Sequence, residues 1–223
     1  FFSYRFVLLP ETIGSISYLS KFKNILKKNI LMGFNLSCLG DNRAYSIIKS
    51  PDENNLAFHA IYSLLKKKKN LKIYDFLSRG SDERQYCSPG IDLPVVGYSR
   101  SKFGKYKEYH TSLDNLNIIS QKNLEDSLEP LLKLVEICET CMYPTTNFYC
   151  EPMLSKKNLT PSLSSSFSLS KRNKVIRDFI AYSDGKRSIF EISNIINCEL
   201  NELVKIFQIL NKNKILKNNF KRH

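Results

Sequence analysis

Polar side chains that can bind a metal or move protons occur at three places in the first half of the 223-residue sequence. Glu11 lies in LLPETIGS, the charged cluster Arg79–Cys87 follows an apolar segment, and His110 lies in EYHTSLDN. A carboxylate can act as a general base, and a neutral imidazole can bind a metal ion. Each also has an ordinary alternative, a helix cap or solvated turn for the glutamate and a hydrogen-bonded side chain for the histidine. These segments are candidates for one site only if the fold brings them together.

Segments with strand and helix spacing alternate over Phe1–Thr140, which predicts an α/β fold with a mainly parallel sheet flanked by helices. The predicted strands are Tyr4–Leu9, Ile30–Leu39, Ala44–Lys49, Leu71–Leu77 and Pro94–Tyr98. The predicted helices are Gly14–Lys28, Asp52–Leu65 with Asp52 as N-cap, and Leu124–Glu139. Ligands bind at the carboxyl ends of strands in such sheets, so we expect the polar segments to meet at that edge.

The last third of the chain has a different pattern. Prolines and a serine cluster without periodicity predict a linker over residues 143–170. Three short helices are then predicted, followed by a strand, and this order is typical of a winged helix. These elements are Lys174–Tyr182, Ile189–Ile196, Glu199–Asn211 and Ile215–Leu216. The predicted organisation is an α/β region over residues 1–142, a linker over 143–170 and a winged-helix domain over 171–223. Because Phe1 begins an apolar segment, we expect residues 1–142 to be the C-terminal part of a larger domain.

The net charge of +13 raises the question of nucleic-acid binding. The charge divides into +9 over residues 1–110, −3 over 111–170 and +7 over 171–223. Lys21–Lys28 and Lys66–Lys69 fall at the ends of predicted helices, where lysines favour the helix dipole, although a phosphate-binding patch is an alternative. The helix that would read DNA begins with Glu199 and Glu202, which oppose a phosphate field. We therefore expect nucleic acid not to be a partner.

The sequence has no charge-free apolar segment near the roughly 20 residues that a membrane helix needs. No signal peptide is visible, and the six cysteines are spread along a chain that does not need disulfides to fold. We expect a cytoplasmic protein without a membrane partner.

Four segments resemble, in order, a bacterial family of zinc aminopeptidase-like proteins that carry a C-terminal winged helix and are associated with polysaccharide biosynthesis. They are PETIGS before a helix, GFNLSCLGDN, RGSDERQYCSPGIDLP and EYHTSLDN. More distantly, the segments resemble the two-zinc aminopeptidases. In those enzymes a strand ends in two consecutive glutamates before Ile-Gly, and a later Tyr-His-Thr supplies a zinc ligand.

This resemblance implies that Glu11 is the general base and that His110 is a zinc ligand. Thr12 stands where the second glutamate, itself a ligand, would be, and Ser37 falls where an aspartate ligand would be expected. Glu83 stands where the aminopeptidases have histidine. Two ligand positions are therefore lost, so the resemblance implies one zinc ion rather than two. Further candidates for binding the substrate or supporting the site are Asp41, Asp82, Arg84, Tyr86 and Asp114, with a ligand-free, salt-bridged loop as the alternative.

The resemblance thus implies a zinc-dependent hydrolase of amide or peptide bonds, acting on a peptide- or amide-containing small substrate. Catalytic zinc takes three protein ligands and a water, and this chain supplies His110. We therefore expect the 223-residue chain to bind zinc weakly or not at all and the full-length protein to bind one ion. Two other functions stay open, a non-catalytic interaction scaffold and a winged-helix nucleic-acid-binding protein.

Overall fold

The computed structural model describes residues 1–157, 159 and 171–220. Its contacts divide the chain into one unit over Ser3–Leu134 and a second unit over Val135–His223 together with Phe1–Phe2. The first unit contains strands β1 Gly33–Ser37, β2 Tyr45–Ile48, β3 Leu71–Tyr74 and β4 Val95–Ser99. Its helices are α1 Ile13–Asn29, α2 Leu56–Leu65, α3 Glu83–Tyr86 and the larger part of α4 Gln121–Cys141.

The four strands of the first unit form a mixed sheet in the order β1-β4-β2-β3. β1 pairs with β4 in parallel and β2 with β3 in parallel, whereas β2 and β4 are antiparallel. The predicted α/β architecture is therefore confirmed. The two parallel pairs run in opposite directions, so the carboxyl ends of β1 and β4 lie at the opposite edge from those of β2 and β3. The polar segments therefore do not all follow strands that end at one edge, although the segment after β3 still reaches Thr12 and Asn35 of β1.

Helices cover both faces of this sheet. Successive residues of a strand point to opposite faces, and β4 supplies both cores. Val96 and Tyr98 pack in a buried cluster with Ile61 and Leu65 of α2, while Val95 packs in a second cluster with Leu19 of α1. The apolar spacing that predicted α1 and α2 thus reflects their buried faces.

The predicted strand Tyr4–Leu9 is wrong. Residues 1–10 have no regular secondary structure, and Phe6 and Leu8 are 91% and 96% exposed. A strand persists only where a neighbour pairs with its backbone N–H and C=O groups. Among the described residues neither edge of the sheet pairs with this segment. Composition alone does not reveal whether such a neighbour exists.

The predicted N-cap of α2 is also wrong, because the helix begins three residues later than Asp52 would require. Asn55 is the N-cap, and its Oδ1 accepts hydrogen bonds from the N–H groups of Ala57 at 2.8 Å and Phe58 at 3.3 Å. Asn55 is 2% exposed, and its Nδ2 donates to Ser50 Oγ at 2.8 Å. Asp52 instead accepts from the N–H of Asn54 in an exposed turn.

The second unit has the element order of a winged helix. It contains β5 Tyr143–Thr146, α5 Lys171–Tyr182, α6 Ile189–Ile195, α7 Leu200–Lys212 and β6 Leu216–Asn219. β5 pairs with β6, and Thr145 of β5 also bridges to Asp184 after α5. The predicted linker 143–170 therefore opens with a strand, because a partner distant in sequence pairs with it. The serine cluster at 162–168 lies outside the described residues.

We expect Asn55→Ala to lower the free energy of unfolding by about 1–2 kcal/mol, because it leaves helix N–H groups without an acceptor. Asp52→Ala is the matched control and should cost no more than about 0.5 kcal/mol, since Asp52 lies in an exposed turn. Urea denaturation of both variants measures the difference. Equal losses of stability for the two variants would contradict the assignment of Asn55 as the N-cap.

Candidate functional site

Glu11 lies in a turn with an unusual backbone rather than at the end of a strand. The next residue, Thr12, has φ 65° and ψ −68°, and the N–H of Ile13 donates to the carbonyl of Glu11 at 2.8 Å. This is a γ-turn with a β-branched residue at positive φ, a conformation that costs on the order of 1–3 kcal/mol. Such a turn persists only where its surroundings hold it.

Two side chains from the α3 region hold this turn. Asp82 Oδ1 accepts a hydrogen bond from the N–H of Thr12 at 2.7 Å, and Arg84 Nη2 donates to Thr12 Oγ1 at 2.7 Å. Asp82 and Arg84, both predicted as substrate-binding or supporting residues, therefore contact the residue beside Glu11. Thr12 itself occupies a position that the family resemblance assigns to a ligand, and its side-chain oxygen faces a cation.

Glu83, between these two residues, is a buried carboxylate with three donors. Its Oε1 accepts from the N–H groups of Gly80 at 2.9 Å and Ser81 at 3.2 Å, and its Oε2 accepts from Asn35 Nδ2 at 2.7 Å. The side chain is 1% exposed. Because Asn35 lies in β1, Glu83 ties the segment that carries Asp82 and Arg84 to the sheet.

Asp41 has a comparable structural role. It is 6% exposed, and its carboxylate accepts from the N–H of Arg43 at 2.8 Å and from both the N–H and the hydroxyl of Ser101 at 2.9 Å. These bonds join the segment after β1 to the segment after β4. Asp41 is therefore engaged within the fold, which explains its presence without a ligand.

A small polar cluster lies after β1, at the edge of the sheet where β1 and β4 end. Cys38 Sγ lies 3.6 Å from Tyr106 Oη, and the Tyr106 hydroxyl donates to Asp114 Oδ2 at 3.0 Å. Burial raises the pKa of the Cys38 thiol, although the hydrogen bond with Tyr106 opposes this effect. The carboxylates of Asp114, Asp41 and Glu11 raise that pKa further. Glu11 thus lies within electrostatic reach of the cluster that contains Asp114.

The polar cluster borders a cavity of about 250 Å³. Cys38, Asp41, Tyr106 and Asp114 form its polar side, and Gly40 and apolar side chains form the rest. The apolar lining consists of Leu39, Ile118, Ile119 and Leu124.

His110 lies in the loop that supplies Tyr106 and Asp114. It is exposed, and its ring stacks on Tyr109 with 3.9 Å between centroids and 15° between planes. Burial raises the pKa of Tyr109, and Cys38, Glu11 and Asp114 add to that rise. Through Tyr109, the structure thus brings His110 to the region that holds Glu11.

An ion pair anchors this His110 loop. Arg43 Nη1 and Nη2 donate to the two Glu108 carboxylate oxygens at 2.9 and 3.0 Å. The hydrogen bond from Arg43 lowers the pKa of Glu108. A two-pronged contact between a guanidinium and a carboxylate fixes orientation as well as distance.

Tyr86 is the predicted site residue that the structure places elsewhere. It is partly buried and packs against the apolar cluster of Leu19, Cys87 and Leu93 beneath α1. Burial also raises the pKa of its hydroxyl. Its surroundings are those of a core side chain.

The described residues do not form a complete zinc site by themselves. Within the parts of the chain that the structure describes, no group of three or more His, Cys, Asp and Glu side chains is arranged to hold a metal ion. Catalytic zinc requires three protein ligands, so His110 alone does not make such a site.

Sequence reasoning missed Cys38, Tyr106, Tyr109 and the Arg43–Glu108 pair. The available signal was the position of Cys38 near the end of the predicted strand Ile30–Leu39 and of the two tyrosines within four residues before His110. Their partners are 65 and 68 residues away in sequence, so no local spacing identifies them.

Comparison with protein families matches residues 1–141 to a domain of unknown function, DUF4910. The chain belongs to the DUF4910 family. Residues 141–218 match a winged helix-turn-helix family, which confirms the predicted C-terminal fold.

A Clostridium acetobutylicum protein described as a polysaccharide biosynthesis protein with an aminopeptidase-like domain is 35% identical over 198 residues. The match covers 86% of this chain and 44% of that protein. The crystal structure of a protein described as a peptidase, also from C. acetobutylicum, has a TM-score of 0.77 at 30% identity. It covers 93% of this chain, which in turn spans 46% of that one. These findings confirm the family resemblance seen in the sequence, and the chain spans less than half the length of either relative.

An aminopeptidase from Aneurinibacillus sp. strain AM-1 is also similar, with a TM-score of 0.46 and 17% identity over 56% of this chain and 30% of that enzyme.

Among the described residues no helix is both long and apolar enough to cross a bilayer.

Acid should remove the contribution of the Arg43–Glu108 pair. Because the pKa of Glu108 is lowered in the folded state, the pair stabilises the fold fully above the ordinary glutamate pKa, and the effect disappears as pH falls through the lowered value. We expect Glu108→Gln to reduce the thermal unfolding midpoint at neutral pH and to approach the wild type in acid. Melting curves across this range test the expectation, and a difference independent of pH would contradict it.

Proposed function

We propose that this chain forms part of an aminopeptidase-like hydrolase that cleaves an amide or peptide bond, with Glu11 as the general base. The observation that carries the proposal is the placement of Glu11 on a doubly anchored turn, within electrostatic reach of Cys38 and Tyr109 and beside the His110 loop. The relatives described as aminopeptidase-like and as a peptidase support the same reaction class.

In the proposed reaction Glu11 removes a proton from the water that attacks the carbonyl carbon. The C–N bond then breaks, and the proton passes from Glu11 to the leaving amine. The cavity beside Cys38 can accept an apolar part of the substrate, since Leu39, Ile118 and Ile119 line it. We propose a peptide- or amide-containing small molecule as substrate, and the name of the C. acetobutylicum relative favours polysaccharide biosynthesis as its setting.

We also propose that the whole protein holds one zinc ion, with His110 as one ligand. Thr12 and Ser37 supply no carboxylate where the family resemblance places ligands, so a second ion lacks support. Because the described residues do not complete the metal site, we propose only the proton transfers to and from Glu11.

A non-catalytic scaffold is the second candidate. It is favoured by the absence of a three-ligand group among the described residues and by the contact of Thr12 with Arg84. A scaffold would not depend on the Glu11 carboxylate, so one substitution separates the two candidates.

In the whole protein, we expect Glu11→Gln to lower kcat on aminoacyl p-nitroanilides by at least about 100-fold, because the base is lost. Zinc content, measured by plasma mass spectrometry, should be unchanged. The control is Glu53→Gln, an exposed glutamate ahead of α2, which should leave kcat within about twofold of the wild type. Retained turnover in Glu11→Gln would remove Glu11 from this role and favour the scaffold.

We propose that the winged helix does not read DNA sequence. Glu199 caps α7 and Glu202 lies in its first turn, both exposed. The first turn of this helix is where contacts to base edges usually occur. We therefore expect the protein to bind any duplex only weakly and with strong dependence on salt. A sequence-specific shift in gel electrophoresis that persists at physiological salt would contradict this.

A further inference from the structure

The turn that carries Glu11 depends on two side chains about 70 residues away. Thr12 is a β-branched residue at φ 65°, and the two groups it offers, the N–H and Oγ1, are each bonded at 2.7 Å. Asp82 accepts the hydrogen bond from the N–H, and Arg84 donates a hydrogen bond to Oγ1. Backbone conformations of this kind persist where the surrounding structure determines them.

Both side chains are themselves held in place. They flank Glu83, which is 1% exposed and binds the N–H groups of Gly80 and Ser81 as well as Asn35 of β1. The contact with Thr12 therefore links the rigid sheet to the turn. Among the described residues the Glu11 carboxylate has no comparable bond, so the turn determines where the backbone presents this side chain.

The hydrogen bonding of Arg84 is consistent with a role in holding the Glu11 turn. Its hydrogen-bond partner is a neutral hydroxyl, and its Nε is buried without a hydrogen-bond partner in the structure. A buried donor left unpaired costs free energy, and among the described residues the bond to Thr12 is the side-chain hydrogen bond that this guanidinium makes.

We propose that Asp82 and Arg84 are positioning residues that act through Thr12 to hold Glu11 in its reactive orientation. The inference rests on the proposed function of Glu11. The sequence left two roles open for Asp82 and Arg84, binding the substrate or supporting the site, and the proposal takes the second.

A substitution pair in the whole protein separates the two roles. Thr12→Val keeps the β-branched shape and removes only the acceptor of Arg84, so it should lower kcat about 10-fold with KM nearly unchanged. Arg84→Gln should have a similar effect. If Arg84 acts through Thr12, the double variant should be no worse than either single one. Additive losses, or a rise in KM in Arg84→Gln with kcat retained, would assign Arg84 to the substrate and overturn the proposal.

Asp82 offers a test by rescue. Asp82→Ala removes the acceptor of the Thr12 N–H and should lower kcat by up to about 100-fold, whereas Asp82→Asn keeps an acceptor oxygen and should recover most of the activity. The matched control is Asp92→Ala, since Asp92 also accepts a backbone N–H, that of Gly90, on an exposed turn. Equal activity of the alanine and asparagine variants would overturn the role of Asp82.

We call the hydrogen bonds of Thr12 with Asp82 and Arg84 the clamp. A measurement independent of activity distinguishes failure of the clamp from failure of the proposed function. The Thr12 amide proton, bonded to a carboxylate, should resonate at low field, move upfield in Asp82→Ala and stay in place in Asp92→Ala. An unresponsive Thr12 amide would overturn the clamp itself. If that amide responds while Glu11→Gln retains turnover, the clamp stands as a structural contact but its catalytic role falls together with the proposed function.

Discussion

The buried carboxylate of Glu83 is the constraint on which the candidate site depends. A charge removed from water is costly unless donors surround it, and Glu83 has three. Two come from the backbone of its own turn and one from Asn35 in β1. Because these bonds fix the turn against the sheet, Asp82 and Arg84 reach the same point, Thr12. Loss of Glu83 would therefore release the segment and leave the Glu11 turn without its two partners.

Carboxylates that bond to distant segments also order the other side of the site. Asp41 joins the segments after β1 and β4, and the Arg43–Glu108 pair anchors the loop that carries His110. In each case a carboxylate bonds to groups distant in sequence, which orders a loop without secondary structure of its own. The acidic residues near the site thus divide into those that build it, Glu83 and Asp41 among them, and Glu11, which is exposed and close to the cavity cluster.

Sequence periodicity predicted the elements whose stability depends on burial of a regular face. α1, α2 and the central strands β2 and β4 lie where apolar spacing placed them. The segment Tyr4–Leu9 has the same local signal but no pairing strand, so its prediction failed. Site roles proved harder, because the partners of Thr12 lie 70 and 72 residues away. The family resemblance implied roles for Glu11 and His110, but it could not indicate that the guanidinium of Arg84 contacts Thr12, where the family has a ligand.

The identity of residue 12 links backbone strain to chemistry. Glycine would adopt positive φ there at little cost, whereas threonine pays for its Cβ. Glycine, however, has no Oγ1 and would leave Arg84 without its acceptor. A carboxylate in place of threonine would form an ion pair with the guanidinium, and a metal ion would have to compete with Arg84 for it. Threonine is thus compatible with a nearby arginine, and the strain of the turn and the missing carboxylate at this position are two consequences of the same residue.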